Sequence, residues 1–441
     1  MSADESEVET LEARHRRVLP HWVDQMYEQP LELVRGKGTH VWDADGNEYL
    51  DFFGGIVTVA LGHGLPEVQA ALRDQLDAII HSSTLYLIRP MVELAELLVE
   101  LSPAGIDCAF FVGSGTEAVE AALLVATNYR RSNQVISFRQ SYHGRSFGAV
   151  GVTGQRGYSP TSFSPLNVQY APYANCLRCP FHLSYPSCEV ACAHDLRTVI
   201  ESQTSGDVAA VIVEPIQGVN GFVTPPPEFL PIIREICDEY GILLIADEVQ
   251  TGFGRTGESM WGIEADGVVP DLMVLAKGLG NGLPIAAVLG RSDVMNSLGA
   301  GSISTFGGNH LVTAGALAAV RYGRDHDLTA NARRQGARLR AGLDAIGARH
   351  PHAIAEVRGK GLMQALDFAD DDERHSPRPD LASAVQERCR EGGLLVGKGG
   401  VAWNVLRLSP ALVIDESEID RALAILSDAC AQALEPQEPG A

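Results

Sequence analysis

The 441-residue chain lacks any apolar run of the roughly 18 residues that a membrane-spanning helix requires. It is also short of basic residues, with 34 Lys and Arg against 56 Asp and Glu, which gives a net charge of −22. This acidic balance disfavours nucleic acids and anionic membranes as partners, because both would repel the protein. The first segment, MSADESEVET, has neither the basic and apolar parts of a signal peptide nor the arginines of a mitochondrial presequence. We therefore expect a cytoplasmic protein without a membrane or nucleic-acid partner.

The eight cysteines of a cytoplasmic protein are expected to be reduced thiols or metal ligands, not a disulfide scaffold. Four of them fall in one predicted loop, at Cys176, Cys179, Cys188 and Cys192. Two close pairs of this kind could form a tetrahedral zinc site. However, Pro180 and Pro186 would stiffen the loop without a metal, so we favour ordinary thiols and predict no metal site.

Strand-like and helix-like segments alternate between Asp107 and Val288. The short, continuously apolar runs VISF, AAVIVEP, ILLIADE and LMVLAKG are typical of strands that are buried on both faces. This alternation predicts a largely parallel α/β sheet. Asp45-Gly46 predicts a hairpin nearer the N-terminus, and the helices and short strands after His326 indicate a smaller α+β unit.

Two polar motifs follow predicted strands, at the end where open α/β sheets bind ligands. In Gly113-Ser114-Gly115-Thr116, small residues, hydroxyls and the amides of a helix N-terminus suit an anion. The same pattern is also typical of a glycine turn with a Ser or Thr helix cap. In Asp247-Glu248, a carboxylate could keep a pyridine nitrogen protonated, or the pair could cap the next turn.

Two further motifs have the same placement. Lys277 ends an apolar strand, where partial desolvation would lower its pKa and favour a role as a nucleophile and later as a base. An exposed lysine at a strand end is the simpler interpretation. Tyr142, followed by His143, could stack on a flat ring or could be a core tyrosine beside a loop histidine. Each motif alone is ambiguous.

Together and in this order, the motifs resemble one family. The segments GSGTEAVE, YHGR, VEPIQGVNG, IADEVQTGFGRTG, LAKGLGNGLP and STFGGN are similar to those of the class III (omega) aminotransferases of PLP fold type I, where PLP is pyridoxal 5′-phosphate. The resemblance runs from VWDADGNEYLDFFGGI to VLRLSPAL. It implies an α/β fold with a large, mostly parallel sheet domain, placed at 66–325. A smaller α+β domain would come from both chain ends, 1–65 and 326–441.

The resemblance also implies the residues around the cofactor ring. Lys277 would hold PLP as a Schiff base and then shuttle the proton between the substrate carbon and the cofactor. Asp247 would pair with the pyridine nitrogen, and Gln250 would reach the phenolic oxygen. Tyr142 would stack on the ring, next to His143. Lys277 and Asp247 are therefore the predicted catalytic residues.

The implied phosphate and carboxylate sites lie around that ring. Ser114, Gly115 and Thr116 would hold the phosphate, together with Thr305 from the neighbouring subunit, which implies a homodimer with composite sites. Glu214 would orient the Asp247–Gln250 region. Arg407 matches the family arginine that grips an α-carboxylate with two parallel hydrogen bonds, and a salt bridge within the small domain is the alternative.

Two positions depart from the family pattern. Relatives that use 2-oxoglutarate, such as 4-aminobutyrate and ornithine aminotransferases, usually carry a Glu where this chain has Val219. The GVNG version, with DFFGGIVTV, GKGLM and GLLVGKG, resembles the alanine–glyoxylate/β-aminoisobutyrate branch, which points to acceptors such as pyruvate or glyoxylate. The second departure is His310, where relatives usually have Pro after GGN.

The expected function is PLP-dependent ping-pong transamination, in which a small amino acid or ω-amine gives its amino group to an α-keto acid. The alternatives are a PLP-dependent lyase acting on an amino-alcohol phosphate, and an aminomutase or epimerase. A binding protein with an inactive fold is disfavoured because all the cofactor positions are filled.

Overall fold

A computed structural model describes residues 9–159 and 164–434. Residues 1–8 and 435–441, which the sequence assigns to the small domain, lie outside this part. The described chain starts with α1 (Leu11–Val18), which is followed by β1 (Leu33–Lys37), β2 (His40–Asp43), β3 (Glu48–Asp51) and the short α2 (Gly54–Val57). β2 pairs antiparallel with both β1 and β3. The Asp43 carboxylate accepts the amides of Asp45 and Asn47, and Gly46 has a φ of 87°. This geometry confirms the predicted hairpin.

The centre of the chain forms one seven-stranded sheet. Its strands are β4 (Cys108–Val112), β5 (Gln134–Phe138), β6 (Asn167–Ala171), β7 (Ala210–Val213), β8 (Leu243–Asp247), β9 (Leu272–Leu275) and β10 (Ala286–Gly290). Their order is β4-β10-β9-β8-β7-β5-β6. All pairings are parallel except those of β10, which runs antiparallel to β4 and β9. The prediction of a mostly parallel sheet is confirmed.

Helices cover both faces of this sheet, which explains why its central strands are apolar throughout. They are α3 (Pro66–Ala78), α4 (Arg89–Glu100), α5 (Gly115–Arg130), α6 (Phe147–Val152), α7 (Ala191–Gln203), α8 (Phe229–Tyr240), α9 (Ser292–Met295) and α10 (His310–Asp325). α5 and α6 pack on one face. α4, α7, α8 and α10 contribute to the core on the other face.

A second unit combines the two ends of the chain. It adds α11 (Leu328–Arg349), β11 (Ile354–Lys360), β12 (Met363–Phe368), α12 (Pro379–Glu391), β13 (Leu394–Leu395), β14 (Gly397–Gly399), β15 (Val405–Leu408) and α13 (Glu416–Leu434). β11, β12, β15 and β14 form an antiparallel sheet, and β13 pairs in parallel with β3. Leu50 and Phe52 share a core with Leu339, Leu366 and Leu426. A smaller α+β unit from both ends is therefore present, and its boundaries at 65/66 and 325/326 stay predictions.

The cysteine loop between β6 and α7 joins the two units through a buried ion cluster. Arg178 donates two hydrogen bonds of 2.8 Å each to Asp367, at the end of β12. Arg358 and Asn404 also donate to the Asp367 carboxylate, at 2.8 Å each, and these charges lower the pKa of this buried acid in spite of its desolvation. Between residues 9 and 434, apart from 160–163, no group of three or more His, Cys, Asp or Glu side chains is placed to hold a metal ion.

None of the helices in the described ranges combines the length and the apolarity that crossing a bilayer requires.

Candidate active site

Lys277 lies directly beyond β9, at the carboxyl edge of the large sheet. After Ala276 the chain turns sharply, and the carbonyl of Lys277 accepts the amides of Gly280 and Asn281. The φ of Lys277 is 46°, which is a strained value for a residue with a side chain. Burial lowers the pKa of its ammonium group to about 8, and the positive charge of Arg407 acts in the same direction. The surroundings therefore favour a free amine, as a nucleophile needs.

A cavity of about 190 Å³ opens beside Lys277, at the carboxyl ends of β7, β8 and β9. It brings together eight of the predicted site residues from five separate segments of the chain. The residues that line it are Gly115, Thr116, Tyr142, His143, Gly144, Arg145, Glu214, Asp247, Val249, Gln250, Ala276 and Lys277.

The sequence left two roles open for Asp247 and Glu248 at the end of β8, a contact with a ligand and a cap of the next turn. In the structure each residue has one of these roles. Asp247 faces the cavity, and its carboxylate lies 2.7 Å from Nδ1 of the buried His143. Glu248 is fully buried and accepts hydrogen bonds from the Thr251 hydroxyl and from the amides of Gly262 and Ile263. Asp247 is thus the acid available to a ligand, whereas Glu248 stabilises the following turn.

Glu214, directly after β7, connects two sides of the cavity. Its carboxylate accepts the amide of Tyr142 on one oxygen and the amide of Gly218 on the other, at 2.9 Å each. Burial, assisted by the negative charge of Asp247 and opposed by His143, raises the pKa of Glu214 to about 7. Gly218 lies against the side chain of Gln250, where an added Cβ would come within 2.1 Å of Nε2. Glu214 therefore fixes the backbone of Tyr142 and also the backbone of Gly218, which lies against the side chain of Gln250.

The Gly115-Thr116 turn begins α5 and contacts the loop after Tyr142. Thr116 Oγ1 accepts the amides of Arg145 and Ser146, at 3.2 and 3.0 Å. Gly144 has a φ of +125°, and a Cβ there would lie 2.6 Å from Thr116 Oγ1. The two loops can approach this closely only because position 144 is glycine.

Three predicted residues do not line the cavity. Ser114 is the N-cap of α5 and accepts the amide of Glu117, so the capping role that the sequence left open is present. Thr305 is exposed on the surface of its own chain.

The third residue, Arg407 on β15, is buried and lies close enough for its charge to lower the pKa of Lys277. Its guanidinium donates to the carbonyl oxygens of Gly218 and Lys398, at 3.3 and 2.9 Å. The guanidinium carbon lies 5.3 Å from the ring centre of Phe53. No carboxylate between residues 9 and 159 or between 164 and 434 is within ion-pair distance of Arg407, so the described residues do not form the salt bridge that was the alternative interpretation.

Several residues that line the cavity, and one that packs against its wall, were not assigned a role from the sequence. Gly144 and Arg145 belong to the quoted YHGR motif, and Ala276 precedes Lys277, so proximity to a motif was the available signal. The ring of Tyr158 packs edge-on against Tyr142, with centroids 5.1 Å apart, and no local sequence signal marks it.

The cavity fits a flat, negatively charged cofactor such as PLP. Gln250 Oε1 and His143 Nε2 are buried and have no hydrogen-bond partner in the described part of the chain. Buried polar atoms of this kind are normally satisfied, so a ligand is the expected partner. Asp247 suits a protonated ring nitrogen, the N-terminus of α5 suits a phosphate, and Lys277 supplies an amine for an aldehyde.

The similarity of this chain to known protein families identifies the class of protein. The family model for class-III aminotransferases matches residues 21–430, and the chain belongs to this family. It is a PLP-dependent transaminase.

Individual relatives agree with this assignment. Acetylornithine aminotransferase of Methanopyrus kandleri is 39% identical over 91% of this chain and 94% of that protein. Human mitochondrial alanine–glyoxylate aminotransferase 2 is 34% identical over 96% of this chain and 86% of that protein. An amine transaminase from an uncultivated Pseudomonas species, solved in its PLP-bound form, has a TM-score of 0.88 at 31% identity and covers 94% of this chain and 99% of its own. The predicted family, fold and cofactor are confirmed.

Proposed function

We propose that this transaminase moves an amino group from a small amino acid or an ω-amine to a short α-keto acid such as pyruvate or glyoxylate. The observation that carries the proposal is the buried guanidinium of Arg407, which has no carboxylate partner in the described ranges. Val219 lies beside this arginine, since a Cβ on Gly399 would come within 2.9 Å of both Arg407 Nε and the carbonyl oxygen of Val219. That carbonyl accepts the amide of Gly400. Because position 219 is a valine, it supplies no carboxylate that could neutralise the Arg407 guanidinium when no substrate carboxylate is bound.

The catalytic work falls to Lys277 and Asp247. When bound, PLP supplies a protonated ring that withdraws electrons from the substrate carbon next to the amino group. Asp247 would hold the charge on the ring nitrogen, and its bond to His143 fixes the orientation of the carboxylate. Because its pKa is about 8, Lys277 has a substantial free-base fraction near neutral pH and can accept the proton from that carbon.

Arg407 is suited to bind the carboxylate of the acceptor. The carbonyls of Gly218 and Lys398 fix the plane of the guanidinium without cancelling its charge. Burial lowers the pKa of Arg407 to about 10, so the group still carries its charge at neutral pH. A short keto acid would meet this charge at one end and Lys277 at the other.

The proposed assembly is a homodimer in which Thr305 contributes to the partner's phosphate site. Thr305 does not reach the cavity of its own chain, and its surroundings are exposed and apolar. Leu87 is 96% exposed and Phe306 is 70% exposed, and Leu85, Tyr86 and Ile303 are exposed with them. Apolar surface of this kind is typical of a protein interface, and a second copy would cover it. The cytoplasmic location stays a prediction.

The test separates the two half-reactions. Addition of an amino donor alone should convert the visible absorbance of bound PLP into that of pyridoxamine phosphate, and pyruvate or glyoxylate should restore it. Release of inorganic phosphate from an amino-alcohol phosphate, with the PLP absorbance unchanged, would instead show a lyase.

The role of Arg407 is tested by Arg407→Met. We expect the KM for the keto acid to rise by about 10- to 100-fold, since a charged hydrogen bond contributes roughly 1.5–3 kcal/mol. The exposed Arg421, changed to Met, is the matched control. An unchanged acceptor KM in Arg407→Met would refute the assignment.

A further inference from the structure

The loop that carries Thr305 rests on the segment that follows α3, and two histidines make the contact. His310 is the first residue of α10, and its Nε2 lies 2.9 Å from the hydroxyl of Ser82. The rings of His81 and Phe306 lie 5.5 Å apart and are tilted by 49°. Both contacts lie on the C-terminal side of Thr305 in the sequence, one on the next residue and the other five residues on. They join the 81–87 segment and the 303–306 segment into one exposed apolar surface.

The base of the Thr305 loop is held by its own chain. Asn309 caps α10 by accepting the amide of Val312, and its amide group donates to the carbonyl of Phe306. The Ser304 hydroxyl accepts the amide of Gly307. In contrast, the Thr305 hydroxyl has no partner anywhere in 9–159 or 164–434, although its neighbours on both sides are fixed. The loop therefore presents a free hydroxyl on a supported backbone.

His310 supports the start of α10 in a different way from the proline that relatives usually have at this position. Proline at the first position of a helix fixes φ and loses no hydrogen bond, because the amide there has no partner within the helix. Histidine at this position lacks that backbone restraint, but its side chain reaches across to Ser82. The half-buried position of both side chains limits the competition from water.

We propose that His310 and Ser82 are a positioning pair that holds the Thr305 loop in place, so that the Thr305 hydroxyl contacts the PLP phosphate in the partner subunit. This inference rests on the proposed homodimer with composite sites. The pair touches neither cofactor nor substrate and acts through Thr305. Its loss should therefore accelerate the release of PLP from the opposite subunit.

The test uses heterodimers in which only one subunit can hold PLP covalently. In the first arrangement, one chain carries Lys277→Ala together with His310→Phe, and its partner is unaltered. In the second, one chain carries Lys277→Ala alone and the Lys277-bearing partner carries His310→Phe. The rate of PLP release is followed by the loss of visible absorbance in excess 4′-deoxypyridoxine phosphate, which binds without a bond to lysine.

We expect release to be roughly two- to tenfold faster in the first arrangement, the range that corresponds to one net hydrogen bond, and unchanged in the second. His310→Gln, whose amide can still reach Ser82, should restore most of the original rate. Faster release in the second arrangement only, or no restoration by Gln, would overturn the pair. If His310→Phe chains do not assemble, Ser82→Ala removes the same hydrogen bond from the other side.

A parallel variant separates this inference from the proposed function. Thr305→Ala in the first arrangement should also accelerate release. If Thr305→Ala does so but His310→Phe and Ser82→Ala do not, the composite site stands and the positioning pair is refuted. If Thr305→Ala has no effect on the partner's site, both the composite dimer and the pair fail.

Discussion

The apo-protein should react with an aldehyde through Lys277 at a rate that rises with pH and has its midpoint near pH 8. Burial and the nearby positive charge of Arg407 both disfavour the ammonium form, which lowers the pKa of Lys277 from 10.5 to about 8. The free amine therefore predominates above pH 8. At pH 7, a pKa of 8 gives a free-base fraction about 300 times larger than a pKa of 10.5 does. The suitable reagent is pyridoxal, which lacks the phosphate and so reports on the amine alone.

The perturbation that tests the electrostatic cause is Arg407→Met. Removal of the guanidinium charge should move the midpoint upward and slow the reaction at pH 7, whereas desolvation continues to hold it below 10.5. Stopped-flow absorbance of apo-protein across pH 6–11 measures both rate and midpoint, and Arg421→Met is the control for loss of a remote charge. A midpoint near 10.5 in the unaltered protein, or one that Arg407→Met leaves in place, would refute the reasoning.

Three further substitutions have defined outcomes. Gly144→Ala should raise the Kd for PLP at least about tenfold, because a strained φ costs roughly 1–3 kcal/mol and the added Cβ would clash with the Thr116 hydroxyl. A fluorescence titration measures the Kd, and Gly157→Ala, where the added Cβ meets open space, is the control. Asp247→Asn should keep PLP bound but lower kcat by roughly 10²- to 10³-fold, the usual effect of one electrostatic group; an unchanged kcat would exclude its role at the ring nitrogen. Asp367→Ala should destabilise the protein by about 3–5 kcal/mol, because it removes the buried carboxylate that accepts hydrogen bonds from Arg178, Arg358 and Asn404. Asp420→Ala, in an exposed ion pair, should leave Tm nearly unchanged in thermal melts.

The strands of the large sheet, and the cavity residues at the strand ends, could be predicted because their sequence signals are local. The apolar runs predicted β5, β7, β8 and β9 within a few residues. Asp247 is the last residue of β8, and Lys277 lies two residues after the end of β9. Since parallel strands end at a common edge of the sheet, residues just after them are brought together whatever the rest of the chain does.

Contacts between distant segments could not be predicted in this way. The bond between His143 and Asp247 joins residues 104 positions apart, and Arg178 reaches Asp367 across 189 positions. The two carbonyls that fix Arg407 belong to Gly218 and Lys398, and a backbone acceptor leaves no mark in the side-chain pattern. Periodicity reports which face of an element is buried, but not which element covers it.

The pairing of β3 with β13 has a consequence for synthesis of the protein. Leu50 lies opposite Leu394, so the two partners are separated by 394 − 50 = 344 residues. At about 5–20 residues per second, roughly 17–70 s pass between their translation. During this time the edge of β3 lacks its β13 partner, and Leu50 and Phe52 lack the part of their core that Leu394 and the residues after it supply. The N-terminal strands are therefore a segment of the nascent chain that needs protection by chaperones, and a C-terminal truncation before β13 would leave this edge of β3 permanently unpaired.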